Sequence, residues 1–125
     1  MKSSKHFKEY ELKCRCGCEF PGMVDGFMEK LELMREDIGK PLTLSSAYRC
    51  PEHNDNVSGT GRDGPHTTGR AVDILCSGVL ASEVLEAATI AGMTGYGIKQ
   101  NGPHHKRFIH VDDLKEGTRP WVWSY

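Results

Sequence analysis

No apolar run in the 125-residue sequence approaches the ~20 residues that a membrane-spanning helix needs, so membrane insertion is not expected. An excess of charge of either sign is also missing. Sixteen lysines and arginines face 17 aspartates and glutamates, a formal net charge of −1. That balance supplies no basic surface, and nucleic acid is not expected as a partner. Neither an internal repeat nor a low-complexity tract interrupts the chain, which reads as one domain over 1–125, expected to be monomeric. Lys2, Lys5 and Lys8 are not followed by the apolar stretch of a secretory signal, so the expected place of synthesis is the cytoplasm. A paired set of cysteines is lacking as well. The five stand at 14, 16, 18, 50 and 76, and the odd count argues against a complete disulfide framework. The spacing Cys14-Arg15-Cys16-Gly17-Cys18 is not the C-x-x-C pair common in structural zinc sites. Free or partly buried thiols in a tight turn are therefore expected, with a structural zinc or a disulfide to Cys50 as the alternative.

What is present describes a folded domain. Hydrophobic residues make up 38% and charged residues 26%, outside the range of disordered chains. Residues 25–38 place Phe27, Leu31, Met34 and Ile38 at spacings of three and four, the period of one helix face. Asp25 suits the cap before this helix, and Gly39 with Pro41 suits its stop. A second helix is expected over 80–91, with Leu80, Val84, Ala87, Ala88 and Ala91 on one face and Gly92 after it. A short opening helix is expected over 4–11, with Ser4 as its N-cap. Residues 42–48, 70–76, 96–98 and 107–112 read as strands. The long polar stretch 49–69 reads as an irregular loop, and loops of that length in compact domains are commonly functional. The fold class is α+β, a small antiparallel or mixed sheet with helices packed on it.

Two of these strands carry polar groups where apolar ones would be expected. Asp73 interrupts the aliphatic run Ala71-Val72-Asp73-Ile74-Leu75. In the last strand Ile109 and Val111 point one way, so His110 and Asp112 share the other face. Buried carboxylates are paired or bound to metal. If the two strands are neighbours, Asp73 and His110 meet, and His66 at the end of the long loop can reach the same spot. Two imidazoles and one carboxylate are a common three-ligand set for catalytic zinc, with a fourth position left for water.

The stretch Pro65-His66-Thr67-Thr68-Gly69-Arg70-Ala71-Val72-Asp73 resembles the H-x-x-G-x-A-x-D signature of the M15 metallopeptidases. Phe108-Ile109-His110-Val111-Asp112 resembles that family's second signature, an H-x-D strand, and Ser45-Ser46-Ala47-Tyr48-Arg49 with Asn54 resembles its upstream block. Gly95-Tyr96-Gly97-Ile98 and Trp121 also fit. The resemblance implies a fold shared with Hedgehog domains, Zn2+ on His66, Asp73 and His110, and hydrolysis of a peptide bond in the peptidoglycan stem peptide. The family holds carboxypeptidases and endopeptidases, and the resemblance does not say which bond is cut. It implies that Arg49 contacts substrate carboxylate or the developing oxyanion, with Ser46 and Tyr96 as further substrate contacts. Some family members carry a carboxylate three residues before the last histidine ligand; Arg107 stands there in this sequence. Asp112 is the substitute general base, or else the partner that orients a histidine ligand, with His104 and His105 as other candidates. The likeness extends to stand-alone phage or prophage enzymes, which a holin or the virion brings to the wall. A non-catalytic zinc module that recognises wall peptide or a phage-tail partner is the alternative.

Overall fold

The computed structural model describes residues 1–125. Four helices and five strands follow in the order α1 (Glu9–Leu12), α2 (Asp25–Ile38), β1 (Thr43–Ser46), α3 (Pro51–Val57), β2 (Ala71–Leu75), α4 (Gly78–Ala91), β3 (Gly95–Lys99), β4 (Phe108–Asp112) and β5 (Trp121–Ser124). The strands form one mixed sheet in the order β1-β2-β4-β3-β5, antiparallel except for the parallel pair β3–β5. The α+β expectation is met.

The period-3.6 pattern of α2 does what it promised. Phe27, Leu31 and Met34 are fully buried, and Gly39 ends the helix in the left-handed region at φ 71°. Val24, rather than Asp25, precedes the first turn as its cap. Helix α4 buries Ala81, Val84, Ala87 and Ala88 and packs on α2. Together they cover one face of the sheet, where Leu44, Val72, Ile74, Ile109 and Val111 complete the core.

Two expectations need correction, and one strand was missed. The opening helix is a single turn, and Ser4 hydrogen-bonds Glu32 of α2 instead of capping anything. The stretch 49–69 is not irregular. It holds α3 and two 3-10 turns, Gly61–Asp63 and Pro65–Thr68, because Pro51 starts a helix without needing an amide donor and buried Asn54 ties it to Thr60. Strand β5 was not foreseen. It lies at the sheet edge with Val122 exposed, so no alternation of burial marks it in the sequence.

The uncovered face of the sheet carries the polar residues in two registered rows. Ser46, Asp73, His110, Gly97 and Trp123 lie side by side across all five strands. Ala71, Asp112, Gly95 and Trp121 form the next row. The two glycines of β3 leave room for large neighbours. A methyl group on Gly97 would fall on the Trp123 indole, and one on Gly95 on the Asp112 carboxylate and the Arg119 guanidinium. Gly95→Ala should therefore destabilise the protein by about 1–3 kcal/mol through overpacking. Gly26→Ala, in α2 with open space around it, should stabilise by about 0.4–1 kcal/mol. Thermal denaturation of the two variants, with their opposite signs, checks the assignment.

Candidate metal centre

Three elements deliver three side chains to one point. The 3-10 turn Pro65–Thr68 presents His66, and Gly69 closes it at φ 73°, a conformation that favours glycine. Asp73 in β2 and His110 in β4 sit directly opposite each other in the antiparallel register. His66 Nε2 and His110 Nδ1 each lie 3.1 Å from Asp73 Oδ1, and the two nitrogens are 3.3 Å apart. All three residues are buried.

The outward nitrogens decide the tautomers. His66 Nδ1 stands 2.6 Å from the Ala47 carbonyl oxygen, which can only accept, so it carries the proton. His110 Nε2 donates in the same way to Asp112 Oδ2 at 2.8 Å. In the neutral rings the inner nitrogens are then bare lone pairs, aimed at each other and at a carboxylate oxygen. Three acceptors at this spacing repel unless a cation lies among them, and the arrangement fits a metal ion held by two imidazoles and a carboxylate. With no ion, a proton must serve. Burial alone would lower the His110 pKa, but the Asp112 and Asp73 carboxylates outweigh it and raise it. Burial alone would raise the Asp73 carboxyl, but hydrogen bonds from His110 and His66 hold it well below the usual carboxylate range.

Around this point lies a cleft of about 800 Å³, lined among others by Ser46, Arg49, His53, Trp123 and Tyr125. Arg49 approaches Asp73 Oδ2 to 3.9 Å through Nη2, and its buried Nε has no partner. The three candidate ligands, Arg49 and Ser46 thus line one cleft. Tyr96 does not join them. It is buried, with its hydroxyl donated to the Met93 carbonyl, because on β3 it points to the helix side while Gly95 and Gly97 take the cleft side. His104 and His105 sit in an exposed turn and do not line the cleft.

Asp112 is present but faces the other way. It is fully buried and meets the His110 nitrogen that points away from His66 and Asp73. Arg119 seals it at 3.1 Å and stacks on Trp121 at 4.4 Å. Of the two roles set out for Asp112, this is the geometry of the partner that orients a ligand and not of a base that reaches substrate. Asp112→Asn should weaken metal binding about 10–100-fold, while metal-saturated enzyme keeps most of its turnover. Titrating activity back with metal after chelation separates the two effects. Arg119 and Trp123, whose ring packs 5.1 Å from that of His110, were not anticipated, because nothing local in the sequence ties them to the site.

A family model described as Peptidase M15 matches residues 5–112. The chain belongs to the M15 peptidase family. No curated protein matches it closely enough to count as a relative. The M15 assignment makes the chain a peptidase of a metal-dependent type, and it agrees with the donor set found at His66, Asp73 and His110. Arg119, Trp121 and Trp123 of this M15 peptidase lie beyond the matched span, although Trp123 packs on His110 and Arg119, stacked on Trp121, holds the Asp112 behind it.

Proposed function

We propose that this peptidase is zinc-dependent and hydrolyses a peptide bond in the stem peptide of bacterial peptidoglycan. The observation that carries the reading is the convergence of His66 Nε2, His110 Nδ1 and Asp73 Oδ1 on one point facing one cleft. Two nitrogens and one oxygen suit zinc, which commonly keeps a fourth position open in catalytic sites. A zinc ion there supplies Lewis acidity that activates water and polarises a carbonyl.

The residues of the chain do the rest. Arg49, with an unpartnered Nε, offers N–H donors to a substrate carboxylate or to the oxyanion that forms on the attacked carbonyl. Ser46 lies in the same row as Asp73 and His110 and contacts the peptide. Asp112 and Arg119 hold the His110 ring in the tautomer that leaves Nδ1 free. Apart from the ligands, His53 is the imidazole that lines the cleft, and in this reading it accepts the proton of the attacking water. The substrate lies outside the cell membrane, no helix of the chain is long and apolar enough to cross one, and a phage holin or virion would supply access.

Digestion of purified peptidoglycan followed by mass spectrometry of the released muropeptides tests the reading. New amino and carboxyl ends at one stem-peptide bond, abolished by chelator and restored by zinc, are expected. Zinc uptake without any cleavage would leave the non-catalytic wall-binding module instead, which the absence of a carboxylate at Arg107 would then explain.

Protons and metal compete for the same lone pairs, which sets the pH dependence. His110 holds its proton to a higher pH than the ordinary 6.5. The zinc concentration that half-restores activity should rise about tenfold for each pH unit below that raised pKa, and the rise should begin above pH 6.5. A requirement for zinc that stays flat into the acid range would contradict the assigned ligands.

A further inference from the structure

Four of the five cysteines also converge. Cys14, Cys16 and Cys18 from the turn after α1 and Cys50 from the start of α3 bring their sulfurs within 4.8 Å of one another. Cys14 Sγ lies 3.3 Å from Cys16 Sγ and 3.8 Å from Cys50 Sγ, and Cys16 and Cys50 are 3.5 Å apart. A disulfide would need about 2.05 Å. Four sulfurs around a tetrahedral zinc, with bonds of about 2.3 Å, stand about 3.8 Å apart. The Cys14–Cys16–Cys50 triangle has the edges of such a cage, slightly contracted, and Cys18 Sγ lies within 4.8 Å of all three. Cys76, the fifth, is buried elsewhere and hydrogen-bonds its own strand.

We propose that Cys14, Cys16, Cys18 and Cys50 bind a second zinc ion as four thiolates, a structural site distinct from the one in the cleft. The C-x-C-x-C spacing, which argued against such a site in the linear sequence, is no obstacle once alternate residues of a tight turn face the same way and Cys50 closes the fourth corner. Each thiol gives its proton to solvent on ligation, so a Zn2+ centre with four thiolates carries two net negative charges. Backbone amides offset part of this: the Cys50 N–H donates to Cys14 Sγ and the His53 N–H to Cys50 Sγ, both at 3.4 Å.

The position gives the ion a purpose. Residues 47–50 form a strap between the two clusters and bond alternately to either side. Ala47 and Arg49 pair with His66, through the Ala47 carbonyl to His66 Nδ1 and the Arg49 amide to the His66 carbonyl. Tyr48 and Cys50 pair with the cysteine segment, through the Tyr48 amide to the Leu12 carbonyl and the Cys50 amide to Cys14 Sγ. Zinc in the sulfur cage pins the amino-terminal segment to the strap that sets Arg49 and orients His66.

The test uses the full chain purified under reducing conditions. Elemental analysis should find two zinc ions per wild-type chain and one in the double variant His66→Ala/His110→Ala. Cobalt loaded into that double variant should give the intense near-ultraviolet thiolate-to-cobalt charge-transfer band. Cys16→Ser/Cys18→Ser should lose the band and one zinc. The proposal is overturned if the double histidine variant holds no metal or lacks the band, or if intact mass shows the hydrogen loss of a disulfide among these cysteines. Because the histidine variant reads the sulfur site alone, this outcome stands apart from failure of the cleft site.

Discussion

Asp73→Ala should abolish turnover, by on the order of a thousandfold or more, and remove the zinc proposed for the cleft while the proposed sulfur site keeps its own. Two arguments converge on an effect of this size. Asp73 Oδ1 is the one atom within 3.1 Å of both inner histidine nitrogens, so its loss deletes a ligand and the only negative charge among the three. The vacated space then holds two facing imidazoles that no longer have an anion to stabilise bound metal. Zinc at a hundred times its dissociation constant should stabilise the native wild-type chain by about 2.7 kcal/mol through mass action. With the cysteine pair Cys16→Ser/Cys18→Ser as background, zinc should raise the melting temperature of the parent and leave that of the Asp73→Ala variant unmoved. Activity within tenfold of the parent would show that the cluster is not the reaction centre.

Arg49→Ala should cost about 100–1,000-fold in kcat, about 3–4 kcal/mol of transition-state stabilisation, with the zinc content of the cleft unchanged. Arg49 is largely buried, stands 3.9 Å from Asp73 and has a donor without an acceptor. What separates it from Arg119, whose buried Nε is also unpartnered, is that Arg49 lines the cleft, the space a substrate anion would fill. Lysine at this position keeps the charge but not the planar fork, so Arg49→Lys should recover only part of the loss. A large rise in KM with kcat intact would move Arg49 from oxyanion stabilisation to ground-state binding of a carboxylate. The stem peptide proposed as substrate ends in one, so that result would point to a carboxypeptidase.

Much of the site was legible because it is written in local periodicity. The alternation of Ile109 and Val111 against His110 and Asp112 announced a strand with a polar face, and the lone Asp73 in an aliphatic run announced its partner. The structure puts the two strands side by side, with Asp73 opposite His110. The same alternation could not separate the roles of the two polar residues on β4. His110 and Asp112 share a face, but only the ring orientation shows that Asp112 backs the ligand. Tyr96 was misplaced for a related reason. The segment Gly95-Tyr96-Gly97 has the right residues near the site, but β3 turns its glycines, not its tyrosine, to the cleft.

Sequence alone settled the elements whose pattern repeats within a few residues: the apolar stripe of α2, the buried face of α4 and the β2 and β4 alternations. These are local, because helix and strand each impose a short period on which side chains meet water. Tertiary structure decided what depends on contacts between distant segments. It set the five-strand row from Ser46 to Trp123, the Arg119 seal on Asp112 and the meeting of Cys50 with a turn more than thirty residues earlier. No period in the chain records those contacts. They arise when burying the apolar face of the sheet under α2 and α4 brings the strands into register and closes the loops over the other face.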